Sequence, residues 1–141
     1  MDKGLISLII PVYNESEGLP DLFARLDRLQ RSLAERIQVE IILVDDHSAD
    51  ASGLLIKEAC MQRTNYKYLR LSRNSGSHIA IISGLSKASG DCMVFLAADL
   101  QDPPELIVQL LDKWKEGNDV VWAVRIRIEG IPMSTSLFSK L

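Results

Sequence analysis

The sequence predicts an α/β fold, a mostly parallel sheet with helices on both faces. Three observations carry that prediction. Short apolar runs recur along the 141 residues, segments with helical spacing separate them, and a polar cluster follows each of the first four runs. Alternating strands and helices build βαβ units, whose crossovers lay helices on the faces of a parallel sheet. With 47% apolar residues the chain can bury one proper core, and it is short for two. One domain over residues 1–141 is expected.

The apolar runs are Leu5–Val12, Val39–Val44, Tyr66–Leu71, Cys92–Ala97 and Val120–Val124. Most are continuous rather than alternating, the pattern of strands covered on both faces. After the first run, Leu19, Leu22, Phe23, Leu26, Leu29 and Leu33 fall on one helical stripe. Ser16 is expected to cap that helix, with Pro20 in its first turn. Further helices are expected from about Asp50 to Gln62, from Ser77 to Lys87, and from Pro103 to Glu116. In the last of these, Asp102-Pro103-Pro104-Glu105 reads as a helix start with Asp102 as the cap. Ile126 to Leu141 shows no complete element.

Several functions are disfavoured by what the sequence lacks. The net charge is only -3, and no dense basic cluster marks a nucleic-acid surface. Cys60 and Cys92 are far apart, with no CxxC pair and no histidine at ligand spacing, which points to a reducing setting without structural zinc. The first apolar run, about eight residues, is far below a membrane span, and no targeting segment is expected. There is no GxGxxG and no GxxxxGK[ST], so neither a dinucleotide fingerprint nor a P-loop is present.

Ligands of parallel α/β sheets bind at the carboxyl ends of the strands. The polar clusters fall there: Tyr13-Asn14-Glu15, Asp45-Asp46-His47-Ser48, Arg73-Asn74-Ser75-Gly76 and Asp99-Leu100-Gln101-Asp102. Paired carboxylates ending a buried strand are costly unless they meet a donor or a cation, so one of Asp45 and Asp46 should have a partner. Asp45 or Ser48 can serve the next helix as a cap, which leaves Asp46 the better candidate for a ligand contact. Asp99 has no capping duty, and with the Gln101 amide oxygen it offers hard oxygen ligands suited to Mg²⁺ or Mn²⁺. His47 and His78 read as polar loop and helix-start residues. Arg125, after the fifth run, is placed at the same sheet edge, where a guanidinium can grip a phosphate; Arg127 can do the same.

In order and spacing, LIIPVYNESEGL, IILVDDHSADAS, LSRNSGSHIAIISGL, AADLQDPPELI and DVVWAVR resemble the family-two inverting glycosyltransferases of GT-A fold. Within that family they look most like the branch containing dolichol-phosphate mannose synthase and bactoprenol glucosyltransferase. The resemblance implies a Rossmann-like nucleotide-sugar-binding domain taking a UDP- or GDP-linked sugar, with Mg²⁺ or Mn²⁺ as cofactor. It makes Pro11, Tyr13 and Glu15 the start of the nucleotide pocket and has Asp46 hydrogen-bond the base. It lays Ala97, Ala98 and Asp99 along the DxD element, with Asp99 as metal ligand, Gln101 as a second, and Arg125 as a contact to the donor phosphates or the acceptor. In the catalytic role it implies Asp99 and Arg125. Here Ala97 stands where the family has its first DxD aspartate, which leaves the metal one fewer protein ligand.

The same resemblance implies a polyprenyl phosphate acceptor, whose phosphate oxygen is already ionised near neutrality and needs no strong base. A sugar or protein hydroxyl acceptor is the alternative within the family. A Mg²⁺-binding signalling receiver domain is the alternative outside it, on the likeness of ILVDDHS. The chain is expected to be the truncated N-terminal part of a longer enzyme at the cytoplasmic face of the membrane. Missing C-terminal segments would then bind the acceptor and the membrane surface, and these 141 residues alone would be soluble.

Overall fold

The computed structural model describes residues 3–124 and, along the backbone, 137–140. They fall into two compact units, Met1–Pro104 and Glu105–Leu141. In the first unit β1 (Leu5–Val12) runs between β2 (Gln38–Asp45) and β4 (Cys92–Phe95), and β3 (Tyr66–Arg70) lies outside β2. All three pairings are parallel. The middle strands are covered on both faces as their apolar runs predict: Leu8, Ile9, Ile10, Ile41, Ile42 and Leu43 have no exposed surface. β4 departs from that pattern. It has a strand neighbour on one side only among the described residues, and Met93 and Phe95 are 43% and 52% exposed.

Register places the helices on the faces. Ile9, Ile42 and Val44 share one face and meet α3 (Ser77–Leu85) at Ala80. Small residues make that approach close: a Cβ on Gly84 would lie 2.5 Å from Ile9 Cγ2. The opposite face carries Tyr66, Tyr68 and Asp45. It receives α1 (Leu19–Leu33) through the Phe23 ring, 6.1 Å from Tyr66, and α2 (Ser52–Gln62) through Gly53, which sits against Asp45 and Tyr68. Arg63 fastens α1 to this face, with bonds of 2.9 and 2.7 Å to the Asp27 carboxylate beneath its stacking on both rings. Helices thus cover both faces, and the predicted stripe of α1 is buried throughout.

Helix starts differ from the sequence reading. Gly18, not Ser16, occupies the cap position of α1, because a turn in which the Glu15 carbonyl accepts the Gly18 and Leu19 N–H groups precedes the helix. In the second unit α4 (Leu106–Lys115) begins after Glu105, so Asp102 is not its cap. Residues before proline are driven out of helical conformation, and Pro103 and Pro104 in tandem push the start past both. β5 (Val121–Val124) is not a fifth parallel strand. It pairs antiparallel with β6 (Leu137–Lys140), in a stretch where no complete element was expected. No described helix is long and apolar enough to cross a membrane.

Candidate functional site

Four loops lie at the carboxyl edge of the first unit. The loop after β1 is stitched to the one after β2: the Asn14 N–H donates to Ser48 Oγ at 2.9 Å, and Asn14 Oδ1 accepts the Ala49 N–H at 2.8 Å. The Glu15 N–H donates to Ser52 Oγ at 2.9 Å, and Asp50 accepts the N–H groups of Ser16 and Ser52 at 3.0 and 2.9 Å. Short Asn, Asp and Ser side chains capture nearby backbone groups in this way and so replace regular structure. Asn14, His47 and Leu100 have φ of 51°, 62° and 60°, left-handed backbone at three of the edge loops.

The two neighbouring aspartates have separate partners. Asp45 is fully buried and binds the Arg70 guanidinium, the Tyr68 hydroxyl at 3.2 Å and the Ser48 N–H at 2.8 Å. Burial works to raise its pKa, yet the Ser48 bonds, the Arg70 charge and Tyr68 outweigh it and hold the carboxyl below the usual range. Neither Asp45 nor Ser48 caps α2, whose cap position is Ala51. Asp46 is 4% exposed and turns to the loop after β3, where it accepts the Ser75 N–H at 2.7 Å and the Gly76 N–H at 2.8 Å.

Asp99 follows β4 with an exposed side chain, and its Oδ1 accepts the Gln101 N–H at 3.1 Å. Glu15 comes close enough to feel it: partial burial first, then repulsion from Asp99 and Asp50, raises the Glu15 pKa. Tyr13 is 48% exposed beside Glu15, Ala97 is exposed, and Ala98 is buried. Pro11 lies within β1, in register with Val44. Among the described residues no three His, Cys, Asp or Glu side chains gather as a metal cluster. The donor set still suits a hard cation that takes one protein carboxylate and completes its shell with phosphate oxygens and water. Asp99 is exposed where it could hold such a cation, and a cation there would relieve the repulsion between Glu15 and Asp99.

The structure brings Tyr13, Glu15, Asp46 and Asp99 to one sheet edge and leaves Arg125 and Arg127 outside the described residues. Sequence reasoning missed the stitching by Asn14, Asp50 and Ser52 and the Arg70 partner of Asp45. The abundance of Asn, Asp and Ser after the first two strands was the signal for the first. His47 and His78 behave as read: His47 Nδ1 lies 3.2 Å from the Leu71 carbonyl, and His78 is exposed in the first turn of α3.

Comparison with known proteins decides what such an edge belongs to. The sequence model described as glycosyl transferase family 2 matches residues 7–138. The chain belongs to glycosyl transferase family 2. That membership sets aside the receiver-domain alternative. Among its relatives is an undecaprenyl-phosphate 4-deoxy-4-formamido-L-arabinose transferase of Klebsiella pneumoniae strain 342, 44% identical over 85% of this chain and 36% of the relative. An uncharacterized glycosyltransferase of Synechocystis, sll0501, is 42% identical over 89% of this chain and 39% of its own length. The chain therefore spans less than two fifths of these relatives. Solved structures share the fold. A Pyrobaculum calidifontis mannosyltransferase in complex with GDP-Man and Mn²⁺ superposes with TM-score 0.63 at 21% identity, over 80% of this chain and 33% of that one. Staphylococcus aureus TarS with UDP gives 0.63 at 22% identity, over 96% and 38%.

Proposed function

We propose that this chain is the nucleotide-sugar-binding part of an inverting, divalent-metal-dependent glycosyltransferase that moves a sugar from a UDP- or GDP-linked donor to a polyprenyl phosphate. The observation that carries the reading is the exposed Asp99 carboxylate at the sheet edge, beside a Glu15 whose pKa it helps to raise, in a member of this family. Nucleotides in the two solved relatives named above, and the undecaprenyl phosphate in the name of the Klebsiella transferase, support the donor and acceptor classes. On this reading Pro11, Tyr13 and Glu15 open the nucleotide pocket, the half-exposed Tyr13 ring offers a face to a planar base, and Asp46 takes a base N–H. Ala97 and Ala98 belong to the donor site, Gln101 assists Asp99, and Arg125 contacts donor phosphate or acceptor.

The chemistry is a single displacement. An acceptor phosphate oxygen attacks the anomeric carbon, the bond to the donor diphosphate breaks with its electron pair going to the diphosphate, and configuration inverts. No proton has to be removed from an acceptor that is already an anion, so no general base is required. A bound Mg²⁺ or Mn²⁺ supplies charge stabilisation for the departing diphosphate. Asp99 and Gln101 are the residues to hold it. The test is a thermal-shift panel of UDP-, GDP-, TDP- and CMP-sugars with and without Mn²⁺, since a ligand that binds only the folded state raises the melting temperature. Stabilisation by a UDP- or GDP-sugar that needs Mn²⁺ is expected. No stabilisation by any donor overturns the reading, and equal stabilisation without metal removes Asp99 from its role.

A further inference from the structure

We propose that Asp46 is also a positioning residue, acting through the backbone of residues 71–76 to preform the wall of the nucleotide pocket before any donor arrives. The inference rests on the nucleotide-binding reading above and adds a second duty to a residue given only one there. Three consecutive residues at the end of β2 grip this loop. The Asp45 carbonyl accepts the Leu71 N–H at 2.9 Å, and His47 Nδ1 lies 3.2 Å from the Leu71 carbonyl. Asp46 closes the far end with both carboxylate oxygens, one on the Ser75 N–H and one on the Gly76 N–H. Between the two anchors, Arg73 and Asn74 stand exposed.

That far end is also the start of α3. The Gly76 position precedes the first helical residue, its φ is 89°, and no side-chain cap is made there. Asp46 supplies the missing anion from another strand, where unpaired N–H groups and the helix dipole both favour negative charge. A carboxylate has about four acceptor positions. One bond per oxygen leaves capacity for a base N–H, so holding the loop and meeting a ligand are compatible. A loop already fixed loses less freedom when the ligand binds, and affinity gains accordingly.

Gly76→Ala isolates the loop. The added Cβ meets nothing within 4 Å, so the change acts on backbone conformation alone. Residue-resolved amide exchange is measured on the ligand-free parent chain, Asp46→Asn and Gly76→Ala, and UDP and GDP affinities on these and on the double variant. An asparagine keeps one acceptor and turns a donor toward the other N–H. Expected is exchange at Ser75 and Gly76 faster by about tenfold or more in Asp46→Asn, the scale of a lost charge-assisted bond. Exchange in β1 and β2 should rise far less than at Ser75 and Gly76, because the lost bonds hold the loop and not the strands. The affinity losses of the two single variants should not add, because they break one interaction. Unchanged exchange at Ser75 and Gly76, or strictly additive affinity losses, overturns the proposal and leaves only direct ligand contact for Asp46. Should Asp46→Asn not fold, Asp46→Glu, with the carboxylate displaced by one methylene, takes its place in the same comparison. Failure of the parent chain to bind any nucleotide would overturn the proposed function instead, and the exchange result would stand independently.

Discussion

The sheet of the first unit carries a polar network at each end, and the two are built differently. Near the amino ends of the strands, Glu40 is 7% exposed and accepts Ser7 Oγ–H and the Ser89 N–H, both at 2.5 Å, while Lys67 Nζ lies 2.7 Å from its other oxygen. Gly90 donates its N–H to Ser7 Oγ at 2.8 Å, and a Cβ at Gly90 would lie 2.6 Å from the same oxygen. This cluster is closed on itself and ties the turn after α3 to β1 and β2. At the carboxyl ends, Asp45 is enclosed in the same way, but Asp99 is exposed and Glu15 is crowded by other carboxylates. A polar cluster that saturates itself holds the fold. One that leaves an exposed carboxylate beside a perturbed one has the character of a functional site.

Breaking the closed network should have the largest effect. Glu40→Ala takes the acceptor from the Ser7 hydroxyl and the Ser89 N–H, and should lower stability by about 2–3 kcal/mol in urea unfolding. Nucleotide affinity of the folded fraction should not change. Burial alone would raise the Glu40 pKa, but bonds from Lys67, Ser7 and Ser89 hold it below its ordinary 4.5. A depressed carboxyl contributes stability above that ordinary value and loses it as pH falls through the folded value. The gap between parent and Glu40→Ala should therefore narrow in acid; a gap that widens would show the network to be strained.

Changes at the open end should move binding instead. Asp99→Asn should weaken Mn²⁺-dependent nucleotide binding by about tenfold, equivalent to roughly 1.4 kcal/mol, with unfolding unaltered. Ala97→Asp adds a hard oxygen ligand two residues before Asp99 and should tighten Mn²⁺ a few-fold in the presence of nucleotide, read by titration calorimetry. Unchanged affinity would show that position 97 does not face the metal. The smallest effect is expected at Glu15→Gln. The raised Glu15 carboxyl opposes folding while it is ionised, so in metal-free buffer at neutral pH the variant should melt about one or two degrees higher. That gain should vanish once the pH falls below the ordinary glutamate value of 4.5, where both forms are uncharged.

How much of this was legible depended on how local the cause was. The middle strands and the stripe of α1 are apolar patterns within a few residues, and they fold as read. Edge loops with Asp46 and Asp99 were placed correctly because a parallel sheet gathers its strand ends. The partners of those residues were not legible: Asp46 meets amides 29 and 30 positions away, and Asp45 meets Arg70 across 25. Capping at Ser16 and Asp102 failed because a turn closed on the Glu15 carbonyl and a second proline moved the helix starts downstream. The partner of β5 was missed because Leu137–Lys140 is too short and too mixed to announce a strand.

Leu100, left-handed at φ 60° directly after Asp99, bears on how this loop can change over generations. Leucine has no short polar side chain to favour that conformation, so the position costs about 1 kcal/mol or more relative to a residue at ease there. Drift to asparagine or glycine at Leu100 would raise stability or leave it level, whereas most random substitutions lower it. The position next to the exposed Asp99 carboxylate is thus one where substitution need not cost stability. Position 100 can vary, and with it the conformation of the loop after β4, without the chain losing its fold.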